Sequence, residues 1–154
     1  MKKFIIPFML LAVVFASCAN DFAPNPVEQN MIINNRGLEI DLQWNTGGSD
    51  AEALAAADLD LELLHEGKLE NISINDERFD ELVLVNNAAD GTYLVRVGYF
   101  DGDAAVSYKL TIAGLTGEKS MEFEGTFAPA ESGSDPVEYL KITKRGDQYA
   151  ISQL

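Results

Sequence analysis

Asp58, Asp60 and Glu62 alternate with leucines in the run DLDLEL. In an extended chain their three carboxylates share one face, about 6.6–7 Å apart. Like charges in such a row repel, and calcium relieves the repulsion by taking about six to eight oxygens from carboxylates and carbonyls. Asp50, Asp101 and Asp103 lie in turn-rich stretches that can converge on the start of the same run, so Asp58, Asp60, Asp50, Asp101 and Asp103 are the candidate calcium ligands. The same row also describes a solvated acidic face with Arg96 or Lys109 opposite as cross-strand partners, and no EF-hand loop pattern accompanies it. Other chemistry is thinly supplied. His65, the sole histidine, stands at the end of the run beside Glu66 and reads as an exposed turn residue. It has no GxSxG serine to activate, and no second histidine or nearby cysteine with which to hold zinc. Pairs of carboxylates suited to glycoside hydrolysis can be drawn from 25 acidic residues in many ways, which makes that signal empty. These residues point away from an enzyme, an unrecognised hydrolase being kept only as a third alternative.

Positioning such a row takes a β-rich domain. The chain has 154 residues, room for one core, with 11 Lys and Arg against 25 Asp and Glu. The formal charge is −14, and loss of Lys2 and Lys3 with a leader takes the remainder to about −16. So anionic a surface repels phosphate backbones, which excludes nucleic acid as a partner, and attracts cations or basic partners. The only cysteine is Cys18, so neither an intrachain disulfide nor a thiolate metal cluster can form.

Residues 1–17 open with Lys2 and Lys3, continue as the apolar run Phe4–Phe15 interrupted by Pro7, and close on Ala16 and Ser17 before Cys18. This is the pattern of a signal peptide, too short for a stable membrane span. The small pair before a cysteine resembles the lipobox of bacterial lipoproteins, with Phe15 where leucine is usual. The resemblance implies that the Cys18 sulfur is diacylated and that cleavage leaves Cys18 as an acylated first residue, anchoring the protein to a membrane. An ordinary secreted protein with a stray thiol is the alternative. Ala19 stands where some lipoproteins carry the aspartate that retains them in the inner membrane, so the sorting rule favours the outer membrane and leaves open the side it faces. Ala19–Arg36 is rich in Asn and Pro and reads as a tether with an edge strand at its end, near Met31–Ile33. The expected organisation is a leader over 1–17, an acylated cysteine and tether over 18–35, and one domain over 36–154.

Within that domain, strict alternation marks strands. Leu38, Ile40, Leu42 and Trp44 share one face, and Leu59, Leu61 and Leu63 share another, with acidic residues between them. Between these runs, DAEALAAA has the composition of a short helix capped by Ser49 or Asp50. Further strands are expected over 69–74, 81–85, 92–100, 105–113, 120–127, 137–143 and 148–152. The turns between them fall at Glu66-Gly67-Lys68, Asn86–Gly91, Asp101–Asp103 and Lys144–Asp147. Eight or nine short strands with at most one helix indicate an all-β, antiparallel, jelly-roll-like β-sandwich, with a closed barrel as the alternative. Most aromatics fall at inward positions with Trp44 central, whereas Phe100 and Tyr139 are on faces that alternation leaves open. If either is exposed near a loop rim, it offers a stacking surface for a glycan or peptide.

Leu42-x-Trp44, Asp58-Leu59-Asp60-Leu61, the turn at Gly67, Asp90-Gly91-Thr92-Tyr93-x-Val95-x-Val97-x-Tyr99 and Val106-x-Tyr108-x-Leu110-x-Ile112 together resemble the bacterial pre-peptidase C-terminal (PPC) domain and its YfaP-like relatives. The resemblance spans roughly Leu38–Ala113. It implies a jelly-roll-like, non-catalytic accessory that in some members binds calcium or fibrous protein. The interval Ser49–Ala57 is longer than the family pattern, and no attached catalytic domain is expected. The expected function is a lipid-anchored cell-envelope binding or structural module with a glycan or protein ligand. An accessory subunit that recruits a secreted or membrane enzyme or export complex is the alternative.

Overall fold

The computed structural model describes residues 30–74, 79–117 and 119–154. The leader, Cys18 and the tether up to residue 29 lie outside the described residues. Ten strands form: β1 (Met31–Ile33), β2 (Gly37–Asn45), β3 (Ala57–His65), β4 (Lys68–Ser73), β5 (Phe79–Val85), β6 (Gly91–Gly102), β7 (Val106–Gly114), β8 (Ser120–Phe127), β9 (Val137–Arg145) and β10 (Gln148–Gln153). One helix, α1 (Asp50–Ala56), and a 3-10 turn at Pro129–Glu131 complete the described elements. All strand pairs are antiparallel, in a six-stranded sheet ordered β1-β10-β9-β6-β3-β4 and a four-stranded sheet ordered β5-β2-β7-β8. This is an all-β sandwich, and each sheet keeps two edges where a barrel would have closed. The strand count exceeds the expected eight or nine because the end of the tether joins the fold, β1 pairing with β10 at Met31↔Ala150 and Ile32↔Tyr149.

β2 and β3 are neighbours in sequence but lie in opposite sheets. Leu38, Ile40, Leu42 and Trp44 of β2 face Leu59, Leu61 and Leu63 of β3 across the core, all buried. The helix α1 carries the chain from one sheet to the other. Ser49 caps it with a reciprocal capping box, the Ser49 hydroxyl accepting from Glu52 N and the Glu52 carboxylate accepting from Ser49 N. The helix ends where Ala57 turns extended to start β3. Trp44 ties the crossing down, its Nε1–H donating to Ala57 O at 3.2 Å beneath α1.

Two residues depart from their expected places. Lys144, read as part of a turn, occupies β9 with Leu140 and Ile142 and is buried at 2 % exposure. Its ammonium reaches Asp90 Oδ1 at 3.1 Å from the β5–β6 turn and lies over the Tyr149 ring. Asp90 also accepts from Gly146 N, and these bonds, that of Gly146 first, hold its carboxyl below the usual carboxylate range. The group plugs one end of the sandwich. His65, expected exposed, is half-buried and stacks on Tyr93 with ring centroids 4.4 Å apart. Its Nε2 has no hydrogen-bond partner among the described residues.

Candidate functional site

The acidic side chains of β3 point outward from the six-stranded sheet. Glu62 faces Arg96 directly across β3 and β6, and the two form an ion pair at 3.4 Å. Lys109 is on the other sheet, paired with Glu122 at 3.1 Å, so of the two expected partners only Arg96 meets this face. Asp58 sits opposite Asp101, and the chain bulges between Asp58 and Leu59. Asp103 N donates to Ala56 O at 3.2 Å, which holds the β6–β7 turn against the start of β3. Asp50 stands at the far end of α1, about 10 Å along the helix from that point. The structure therefore sets Asp58 of β3 opposite Asp101 of β6, with Asp103 next to the start of β3 and Asp50 at the other end of α1. The Asp60 carboxyl is pushed up to about 6, by burial first and then by Asp58, Asp80 and Glu62.

A different set of carboxylates converges on the outer face of the four-stranded sheet. Glu39 and Asp41 are two apart on β2, and Glu81 of β5 is directly opposite Asp41. One oxygen from each lies within 4.8 Å of the others. Burial, then Glu39, then Glu81 raise the Asp41 carboxyl to about 6. A hard divalent cation is the ligand such a trio could take, three oxygens toward a calcium shell. Alternation on β2 already put Glu39 and Asp41 on one face in the sequence; Glu81 joins them only through the β2–β5 register.

The same outer face carries a groove of about 530 Å³ at the ends of β2, β7 and β8. Gln43, Lys109 and Glu124 stand in one cross-strand row and Asn45, Ser107 and Thr126 in the next. Between the rows run Trp44, Tyr108 and Gly125, also in register. Both aromatics turn inward: the Tyr108 ring lies across Gly125 and packs on Phe127 at 5.2 Å and edge-on to Tyr139 at 5.4 Å. In the sequence these outward side chains are only the polar half of each alternation; the register across β2, β7 and β8 is what lines them up.

The two aromatics on open faces separate. Phe100 is the extra residue of the bulge on β6, unpaired in the ladder with β3 and 65 % exposed. Tyr139 is half-buried, donating its hydroxyl to Glu124 O and accepting from Gln153 Nε2. No helix among the described residues is long and apolar enough to cross a membrane. No family model, curated protein or solved structure matches this chain.

Proposed function

We propose that this protein is a lipid-anchored module of the cell envelope, held by Cys18 in the outer membrane, that binds a glycan or protein ligand through its surface without chemistry of its own. The observation that carries the reading is the way the chain enters the fold. The segment that follows Cys18 ends in β1, at the margin of the six-stranded sheet, so the anchor leads into an edge of the sandwich and leaves both outer faces clear. Fully extended, the stretch from Cys18 to Asn30 reaches at most about 40 Å. The motifs from Trp44 to Ile112 support a PPC-like accessory, a resemblance that implies a two-sheet sandwich. Calcium stabilisation belongs to the same reading, through Glu39, Asp41 and Glu81 or through Asp58 and Asp101. Thermal melts in millimolar calcium and in chelator test it, and equal midpoints in both remove calcium from the account.

The anchor is tested by fractionation after labelling with an alkyne fatty acid. The wild-type protein is expected in the membrane fraction with label, and Cys18→Ser in the soluble fraction without it. Equal partition of the two overturns the anchor.

A specific observation also favours the accessory-subunit reading. β8 is an edge strand of eight residues, without proline or lysine, and its ladder with β7 is unbroken. The bond from Gly114 N to Lys119 O sets the phase of that ladder, so Ser120, Glu122, Glu124 and Thr126 turn their backbone groups to the free side. Tyr139 already satisfies the Glu124 carbonyl, leaving the rest for a strand supplied by a partner. Co-purification of a stoichiometric partner from membranes would promote this reading over the first.

A further inference from the structure

The groove on the four-stranded sheet differs from the surface around it. Elsewhere on this face the outward side chains include Glu39, Asp41, Glu81 and Glu122, whereas the groove is walled by two amides, two hydroxyls and one charge of each sign. We propose that this groove is a binding site for a neutral saccharide, with Gln43, Lys109 and Glu124 along one wall and Asn45, Ser107 and Thr126 along the other. The inference rests on the binding-module reading and gives that reading a site and a ligand class.

Three properties of the groove select this chemistry. The first is its hydrogen-bonding inventory. Each sugar hydroxyl both donates and accepts, and so does each amide and each hydroxyl of the walls, while Lys109 adds donors and Glu124 acceptors. The second is charge. Lys109 stands across from Glu124 but is ion-paired with Glu122 at 3.1 Å, so an anionic ligand would meet Glu124 and the surrounding carboxylates with the lysine already engaged, whereas an uncharged ligand meets no such repulsion. The third is rigidity. The floor is the backbone of Trp44, Tyr108 and Gly125, whose inner side is the packed core; Trp44 is fixed by its bond to Ala57 O, and Tyr108 is wedged between Gly125, Phe127 and Tyr139. Strands fixed in this way need no rearrangement when a ligand arrives, so only the wall side chains themselves have to be ordered. The volume, about 530 Å³, lies within the ~300–1,000 Å³ of small-ligand sites.

The test is an amide NMR titration of the full-length protein in a sugar-free zwitterionic detergent with maltotriose, cellotriose and tri-N-acetylchitotriose, each to about 20 mM. At least one trisaccharide is expected to bind with Kd of about 0.1–5 mM, shifting residues 43–45, 107–109 and 124–126. Gln43→Ala and Thr126→Ala, both exposed positions, should each weaken binding about 5- to 10-fold, and Glu39→Gln on the same face should leave it unchanged. Shifts centred elsewhere, for example around Phe100, overturn the groove while leaving the binding-module reading in place. Absence of shifts with all three probes also overturns it, and the wider reading then stands or falls on membrane co-purification.

Discussion

Asp41 and Asp60 are half-buried acids on the outer faces of opposite sheets, each with its carboxyl raised to about 6. A carboxyl whose folded pKa lies above its unfolded value binds more protons folded than unfolded between about pH 4 and 6. Its contribution therefore favours folding most below that window and is lost as pH rises through about 6. Asp41→Asn and Asp60→Asn should each raise the melting temperature at pH 7.5 relative to wild type, by the equivalent of about 0.5–1 kcal/mol for such solvent-screened groups, with the gain shrinking toward pH 4.5. Differential scanning calorimetry across that range checks it, and a gain independent of pH would assign the effect to something other than ionisation. Gly125 is the other residue-scale lever. A Cβ there collides with the Tyr108 ring, so Gly125→Val should cost about 1–3 kcal/mol in chemical denaturation, while Thr126→Val, an exposed neighbour, should change stability little. In the strand expected over 120–127, Gly125 falls on the same alternation as Met121, Phe123 and Phe127. Its reason is the register that sets Tyr108 opposite, which a single strand does not encode.

At the level of elements, alternation was enough to find the strands, because a half-buried strand repeats every second residue whatever it pairs with. Leu38–Trp44 and Leu59–Leu63 are legible for that reason. Their relationship was not legible: β2 pairs with β5 and β7, β3 pairs with β4 and β6, and α1 carries the chain between the sheets. The acidic faces of the two runs consequently point away from each other, and the carboxylates that do converge include Glu81, from beyond the next hairpin. Lys144 was missed for a related reason. Its inward phase follows Leu140 and Ile142, but burial of an ammonium is acceptable only with the Asp90 partner, which the fold brings from far along the chain. The crossing at α1 makes two predictions. Ser49→Ala removes the hydroxyl of the capping box and should lower the melting temperature by a few degrees. Trp44→Phe keeps an aromatic ring but loses the donor to Ala57 O and should cost about 1–3 kcal/mol, read by urea denaturation. A larger loss for Ser49→Ala than for Trp44→Phe would contradict the view that the crossing is held from the core side.

For the whole molecule, one sandwich presents unlike surfaces: an acidic outer face with an exposed Phe100 on one sheet, and a carboxylate trio beside a groove of mostly amide and hydroxyl side chains on the other. The segment that precedes the fold joins it at edge strand β1, which leaves both faces clear of that entry, as the proposed anchor requires. The strong negative charge should keep the domain from anionic lipid, so the proposed membrane residence would depend on acylation of Cys18 rather than on the sandwich itself. The most direct measurement is the intact mass of the mature protein extracted from membranes, with sequencing of its first residues. The account predicts a chain beginning at Cys18 whose added mass matches a diacylglyceryl group and an amide-linked acyl chain. An unmodified chain, or one that begins at another residue, would contradict it.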